Sequence, residues 1–464
     1  MKKSLLWIVV LILSISIVSA FSFVGCKAKE EAVEEEAVEE AAAEEAVTEE
    51  EAPAEEAAPL PSGKIVVWAW EAAKGTLEAG MAGFAEAYPD IEVEWVVYNP
   101  QDVYVNLPLA LTAGVGAPDV CLVENSHLLQ MVELGGLLDI TEQFQPYIES
   151  VNAYKLKEAV KDGSYYAVPQ DSGPVAMYYR RDVFEKAGLA SDPASVEELV
   201  STWDKYYEVA KTIKEETGLY MQANNKANNL GRLFEMLLWQ RGLGYIDNEG
   251  KVAIDSPEAI ETLEFLGKMT SEELFSNELE WTEGWYAELA SLDEPIASII
   301  EASWMDVFLR GWIAPGTSGK WGVVRMPAWE EGGARASNDG GSSLVITTQS
   351  QNPDAAWAFI EYTLLRDESQ INMFIAGGFT PSLETCYDSD VFRMKSDFYG
   401  GQVVGTLFNE IVTEIPEAGI YPAEYAEMNS LTGPEIQKYF TGQQTAEEAL
   451  NNAAAAIREA TGRE

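Results

Sequence analysis

The chain has one histidine, His127, in 464 residues, and three cysteines, Cys26, Cys121 and Cys386. A single imidazole excludes paired-histidine metal sites. No H-E-x-x-H, EF-hand loop, Walker A or G-x-S-x-G sequence occurs either. "AGVGAPD" has two glycines of a dinucleotide fingerprint but lacks the third and the helix that should follow. Three cysteines do not make a disulfide framework. Cys121 sits in an apolar strand pattern and reads as a buried thiol, Cys386 sits in a loop, and a bridge between them is the one pairing left open in an oxidising compartment. Positive charge is also scarce: 30 Lys and Arg face 77 Asp and Glu, for a net charge of −47. Nucleic-acid binding depends on Lys and Arg neutralising phosphates, so that class is excluded. Carboxylate pairs of the glycosidase kind arise by chance among so many acids and argue for nothing. No motif points to an enzyme, a cofactor or a bound metal.

The first 62 residues are of a different kind from the rest. Lys2 and Lys3 precede the apolar run "LLWIVVLILSISIVSAFSFVG", which ends at Cys26. A positive start, an apolar stretch and small residues near a break fit a secretory signal over 1–25. The run is also near the ~20 residues that span a bilayer, so an uncleaved anchor is the alternative. "FVGC" resembles a bacterial lipobox, in which the Cys becomes the lipidated first residue, with Phe23 where Leu is usual. Cys26 is therefore the expected lipidation site. Either way the body lies outside the cytoplasm, held to a membrane. Residues 26–62 follow as an acidic linker with fourteen glutamates between Glu30 and Glu56. Ala and Glu favour helix, but the glutamates recur at repelling i,i+3 and i,i+4 spacings with no stripe to bury. A self-repelling, extended tether is expected. Those glutamates and four lysines account for −10 of the net charge and leave −37 on the body.

The remainder is long enough for two or three domains of roughly 100–200 residues. From Lys64 onward short apolar runs alternate with helical patterns. "KIVVWAW", "IEVEWVV" and "PDVCLVE" read as strands. Leu77, Met81, Phe84 and Tyr88 predict one helix ended by Pro89. "VYVNLPLALTAG" predicts a second helix closed by Gly114, and "SHLLQMVELGG" a short third. This rhythm predicts a doubly wound α/β layer. The second half is richer in helix. Ser195 and Glu198 occupy capping-box positions of a helix running to Gly218. Ser256 and Pro257 open another helix, Asn352 and Pro353 another, and Thr445 with Glu448 caps the last. "KWGVVRMP" and "GGSSLVITT" read as strands. In "YAVPQDSGPVAMYYR" a core-forming run is interrupted by six polar or turn residues and then resumes.

A set of ordered segments carries a resemblance: "GKIVVWAW", "FAEAYPDIEVE", "TAGVGAPDV", "YAVPQ…MYYRRDVFEKAGL", "EGKVAIDSPEAIETLEFL", "WGVVRMP", "SSLVITTQSQNPDAAWAFIEYTLL", "GGFTPS" and "TAEEAL". Over 63–464 the chain resembles the extracytoplasmic solute-binding proteins of ABC transporters, in the sugar-binding group that includes maltose-binding protein. The resemblance implies a type II, two-lobe α/β fold, each lobe a sheet flanked by helices, with a ligand cleft between them. It implies lobe 1 over 63–170 and 338–378, and lobe 2 over 171–337 and 379–464. "PQDSGP" would then be the first crossing between lobes, "ASNDGGSS" the return and "AGGFTPS" a third. The implied partners are a small sugar and the transporter's permease subunits, for a monomeric protein.

A sugar presents an apolar C–H face and a belt of hydroxyls, so its site needs aromatic rings beside carboxylates and amides. Thirteen tryptophans are many for this length. In open α/β sheets ligands lie beyond the carboxyl ends of strands. Trp70 and Glu71, Glu124 and Asn125, and Gln170 and Asp171 stand at such ends. In the second lobe, "SIIEASWMDVF" resembles the family's segment of small residues before a Trp. That makes Trp304 the main stacking candidate, with Glu301 or Asp306 beside it. Trp239, Trp281 and Trp285 are further candidates, and Gly340 and Gly341 belong to the return crossing. The competing readings are a non-sugar solute such as a polyamine, a metal complex or a glycerol phosphate, an extracytoplasmic glycosidase, and a tethered adhesion or sensor protein.

Overall fold

The computed structural model describes residues 59–223, 230–416 and 421–464. The signal segment, Cys26 and nearly all of the acidic linker lie outside the described residues. Among the described residues no helix is long and apolar enough to cross a membrane.

Two sheets organise the chain. The first contains β1 (Gly63–Ala69), β2 (Ile91–Val97), β3 (Val120–Glu124) and β4 (Ala167–Pro169). The second contains β5 (Val175–Arg180), β6 (Ser298–Ala302) and β7 (Trp321–Arg325). The chain then returns to the first sheet with β8 (Ser342–Ile346). The first sheet runs β2-β1-β3-β8-β4. Its first three strands are parallel, with Val67 opposite Val120 and Gly63 opposite Ile91. β8 is antiparallel to both neighbours, because the chain enters it from the other lobe at the cleft end and not through a crossover helix. The second sheet, β6-β5-β7, is wholly antiparallel. Every residue of β5 is buried, its apolar run Val175–Tyr179 in the core and Arg180 paired with Asp182 at 2.8 Å.

The cores match the sheets. Ile65, Val67, Val120, Leu344 and Phe359 fill the inner face of the first lobe, and Val103, Leu107, Val123 and Met131 the other face. Met177, Tyr206, Leu237, Leu263 and Ile457 build the larger core of the second lobe, with Tyr178, Trp285, Trp321 and Phe408 on the opposite face. Leu383, Cys386 and Phe392 pack into the first lobe's core, and Phe398 and Tyr399 into the second's. The chain thus stays with the first lobe beyond residue 378 and leaves it between Phe392 and Phe398. Cys121 and Cys386 are separate, buried free thiols, so no bridge joins them.

Local signals explain most element ends. Gly114 and Gly218 close their helices at φ of 69° and 76°, where a left-handed residue ends the turn. Ser256 caps its helix through the Ala259 N–H at 3.3 Å. Thr445 and Glu448 form a full capping box. Two expected helices are broken. The pattern over 77–88 divides between Glu71–Gly80 and Phe84–Ala87, with Gly83 at φ 83° redirecting the chain. The run to Gly218 divides into Pro193–Leu199 and Trp203–Thr217. Asp192, and not Ser195, caps the first piece, accepting the Ser195 N–H at 3.0 Å; Thr202 caps the second.

The crossings form a bonded waist. Residues 170–175 run antiparallel to 337–342. The Gln170 N–H donates to Ser342 O at 2.8 Å, Asp339 N–H to Gly173 O at 2.9 Å, and Val175 N–H to Ser337 O at 2.9 Å. Thr380–Pro381 adds a third strand by pairing with Asp171–Ser172.

Candidate functional site

The carboxyl ends of β1 and β3, the crossings, and the second lobe's helices enclose a cavity of about 1030 Å³. From the first lobe come Trp70, Glu71, Tyr98, Tyr104, Glu124 and His127. From the second come Arg232, Glu235, Trp281, Trp304, Phe308 and Tyr425, and the crossings give Asp171, Asp339, Gly340 and Gly341. Each edge has a backbone reason. Trp70 and Glu71 end β1 and begin a helix. Glu124 ends β3 and caps the turn that follows, accepting from Ser126. Gly340 and Gly341 take φ of 71° and 97°, a conformation glycine adopts without strain. A Cβ on Gly341 would crowd the Lys155 amine.

Among the described residues that line the cavity, Arg232 is the one guanidinium or ammonium, and it is engaged. It donates to Glu301 at 3.2 Å and through Nε to Asp339 Oδ1 at 3.1 Å. Its second nitrogen also donates to Asp339 Oδ2. Its carbon lies 4.8 Å from the Trp304 ring centroid, and the Trp304 Nε1–H donates to Asp339 O at 3.0 Å. On the opposite wall the His127 ring stacks on Tyr104 at 3.9 Å and 8°, with Nδ1 2.8 Å from Ser126 Oγ. At the floor Asp171 is buried, accepts the Ser342 N–H at 2.9 Å, and has its carboxyl pushed up to about 6 by burial against the pull of Lys155. Burial likewise raises the Glu235 carboxyl, opposed by hydrogen bonds from Tyr245, Tyr425 and Asn429.

The sequence-based candidates separate into two groups. Trp70, Glu71, Glu124, Asp171, Trp281, Trp304, Gly340 and Gly341 line the cavity. The others face elsewhere. Asn125 and Gln170 are buried beside cavity residues, Asn125 turned inward at the start of the tight helical turn Asn125–His127 and Gln170 on the extended crossing beside Asp171. The Asn125 amide joins Glu158 to Ser343, and Gln170 reaches Thr76 at 3.3 Å. Trp239 is sealed on the apolar face of its helix against Tyr421, ring centroids 4.6 Å apart. Trp285 is core at 1% exposure. Glu301 lies behind Arg232, and Asp306 is held by Arg310 at 2.7 Å. Sequence reasoning missed Tyr98, Tyr104, Arg232, Glu235, Tyr421 and Tyr425. They sit in helices and loops that only the closed fold brings to the cleft. His127, a lone imidazole with no partner in the sequence pattern, also reaches the cleft wall.

A cavity of aromatic faces and carboxylates, with its one strong cation already paired, suits an uncharged, hydroxyl-rich guest. The comparisons agree in kind. A sequence profile of the bacterial extracellular solute-binding protein family matches residues 68–370. The chain is 30% identical over 346 residues to an arabinooligosaccharide-binding protein of Halalkalibacterium halodurans, covering 73% of this chain and 75% of that one. It is 26% identical to a lactose-binding protein of Rhizobium radiobacter, covering 81% and 89%. Its structure resembles an ABC-transporter-associated binding protein of B. animalis subsp. lactis in complex with β-1,6-galactobiose, with a TM-score of 0.71 and 28% identity over 86% of this chain and 98% of the other. The fold is the two-lobe type II α/β fold, and the chain belongs to the bacterial extracellular solute-binding protein family.

Proposed function

We propose that this protein binds a neutral oligosaccharide outside the cytoplasm and delivers it to the permease of an ABC transporter by closing its two lobes. The observation that carries this is the cleft lining: open indole and phenol rings beside Glu71, Glu124 and Asp171, in a space of about 1030 Å³. Rings cover the apolar sugar face and carboxylates accept its hydroxyls. Both lobes contribute, so ligand favours the closed arrangement by touching both walls there. Lipidation at Cys26 would hold a monomer near its permease. The protein acts as a binder and not as a glycosidase.

The acidic lining also favours a polycation, so a polyamine is the second reading. A thermal-shift screen over sugars, oligosaccharides and polyamines decides between them. A saturating ligand at 100 times its dissociation constant adds about 2.7 kcal/mol of stability. Stabilisation by oligosaccharides, weakened at least tenfold in affinity by Trp304→Ala, supports the sugar reading. Stabilisation by polyamines alone, or turnover of chromogenic glycosides, overturns it.

A further inference from the structure

Trp304, Phe308 and Trp312 stand at i, i+4 and i+8. Such an aromatic stripe usually marks a core face, and these rings are not core. Trp304 and Phe308 line the cleft, and Trp312 is 53% exposed. The neighbouring Trp285 and Trp321 are sealed, so the exposure is not a general looseness of this lobe. Trp281 completes a triangle, 6.0 Å from Trp304 and 5.5 Å from Phe308, and is itself 38% exposed. Phe308 lies 6.3 Å from Trp312, which Tyr286 supports at 5.0 Å. The rings form one path from the cleft to the outer surface.

The backbone under this path is unusual at two points. Trp281 holds φ at +62°, a left-handed conformation that bulky residues rarely adopt and that persists where surroundings impose it. Leu309–Ile313 forms a π-helical turn directly after the α-helix Met305–Phe308; such turns gather at functional sites. A contiguous open apolar path that continues a binding cavity marks a contact surface.

We propose that Trp281, Trp304, Phe308 and Trp312 form an aromatic track that guides an oligosaccharide out of the cleft, its outer units lying on Trp312. This rests on the carbohydrate reading above and adds that the ligand is a chain longer than the cleft holds. Successive rings meet edge-to-face, Trp304 to Phe308 at 78° and Phe308 to Trp312 at 88°, so the path is a continuous apolar surface whose exposed outer end is the Trp312 ring.

The test is calorimetric titration of the full mature chain with arabino-, galacto- and malto-oligosaccharides, from disaccharide to hexasaccharide. It is run on the native protein, Trp312→Ala and Trp312→Phe. In the series that binds, native affinity rises at least tenfold from the disaccharide to the longer chains. Trp312→Ala loses that increment and keeps the disaccharide affinity, while Trp312→Phe retains most of it. Native affinity that does not rise with length, or a Trp312→Ala protein that follows the native one at every length, overturns the track and leaves sugar binding standing. Absence of binding to every sugar by the native protein overturns the carbohydrate reading and the track with it.

Discussion

The Arg232 guanidinium lies over the Trp304 ring while its nitrogens hold Asp339 in the return crossing and Glu301 in β6. One side chain thus orients a cleft aromatic, ties a helix to the waist, and neutralises a carboxylate that is 1% exposed. Arg232 bonds Glu301 Oε2, Oε1 has no hydrogen-bond partner among the described residues, and burial raises the Glu301 carboxyl against the opposing charge of Arg232. Arg232→Met leaves the Glu301 and Asp339 carboxyls without their partner, and removing one partner of a buried pair costs about 3–5 kcal/mol. Urea denaturation measures the loss, and adding Glu301→Gln recovers part of it, the remainder being the unpaired Asp339. A native midpoint for Arg232→Met would show that the pair contributes nothing.

Gly173 marks the closest approach of two crossings. A Cβ there would run into the Asp339 carbonyl oxygen, and backbone cannot yield as a flexible side chain does. Gly173→Ala is expected to destabilise by about 1–3 kcal/mol, the range for overpacking. Gly75 stands inside the helix Glu71–Gly80 and faces open space, with nothing within 4 Å of the position a Cβ would take. Gly75→Ala should stabilise by about 0.5–1 kcal/mol. Opposite signs in paired thermal melts are the expected result.

Asp171 gives the stability a definite slope with pH. Its carboxyl is raised from 3.8 to about 6 by burial, so the folded state holds the proton more tightly than the unfolded one. The benefit is full below pH ~4 and is lost as pH rises to about 6. Each tenfold gain in proton affinity is worth about 1.36 kcal/mol, so the ionised group costs the fold about 3 kcal/mol at neutral pH. Asp171→Asn keeps an acceptor for the Ser342 N–H and removes the titration. The variant's stability advantage over the native chain should widen from pH ~4 to 6 and then level off. A constant difference across that range would refute it.

Cys26→Ser tests the anchor. With lipidation at Cys26 the native chain takes up radiolabelled fatty acid in cells and the variant does not. A native chain that carries no label would instead favour the uncleaved apolar segment.

Where local pattern decides, the fold is readable from the residues alone. β1, β2 and β3 are short apolar runs bounded by turns, the helix starts at Ser256 and Thr445 follow from side-chain caps, and the start after Asn352 follows from Pro353 at the first helical position. The breaks at 81–83 and 200–202 are hidden because the apolar spacing continues through them, and a tertiary bend overrides periodicity. For the site, strand-end position finds Trp70, Glu124 and Asp171, but it cannot tell them from Asn125 and Gln170, one residue away and outside the cavity lining. Composition cannot separate Trp304 from Trp239 or Trp285, because an indole packs as readily in a core as on a cleft wall. Arg232 lies in a helix far from any strand end, and its role depends on Asp339, more than a hundred residues on.

The position of β8 bears on how the molecule is made. It lies between β3 and β4, yet it is synthesised after all of β5, β6 and β7. The nascent first lobe therefore holds a gap in its sheet, with an open edge on β3, until residue 346 has left the ribosome. A fragment ending at residue 170 would carry that bare edge permanently, so the amino-terminal half is not a transplantable module, and its completion depends on a segment delivered last.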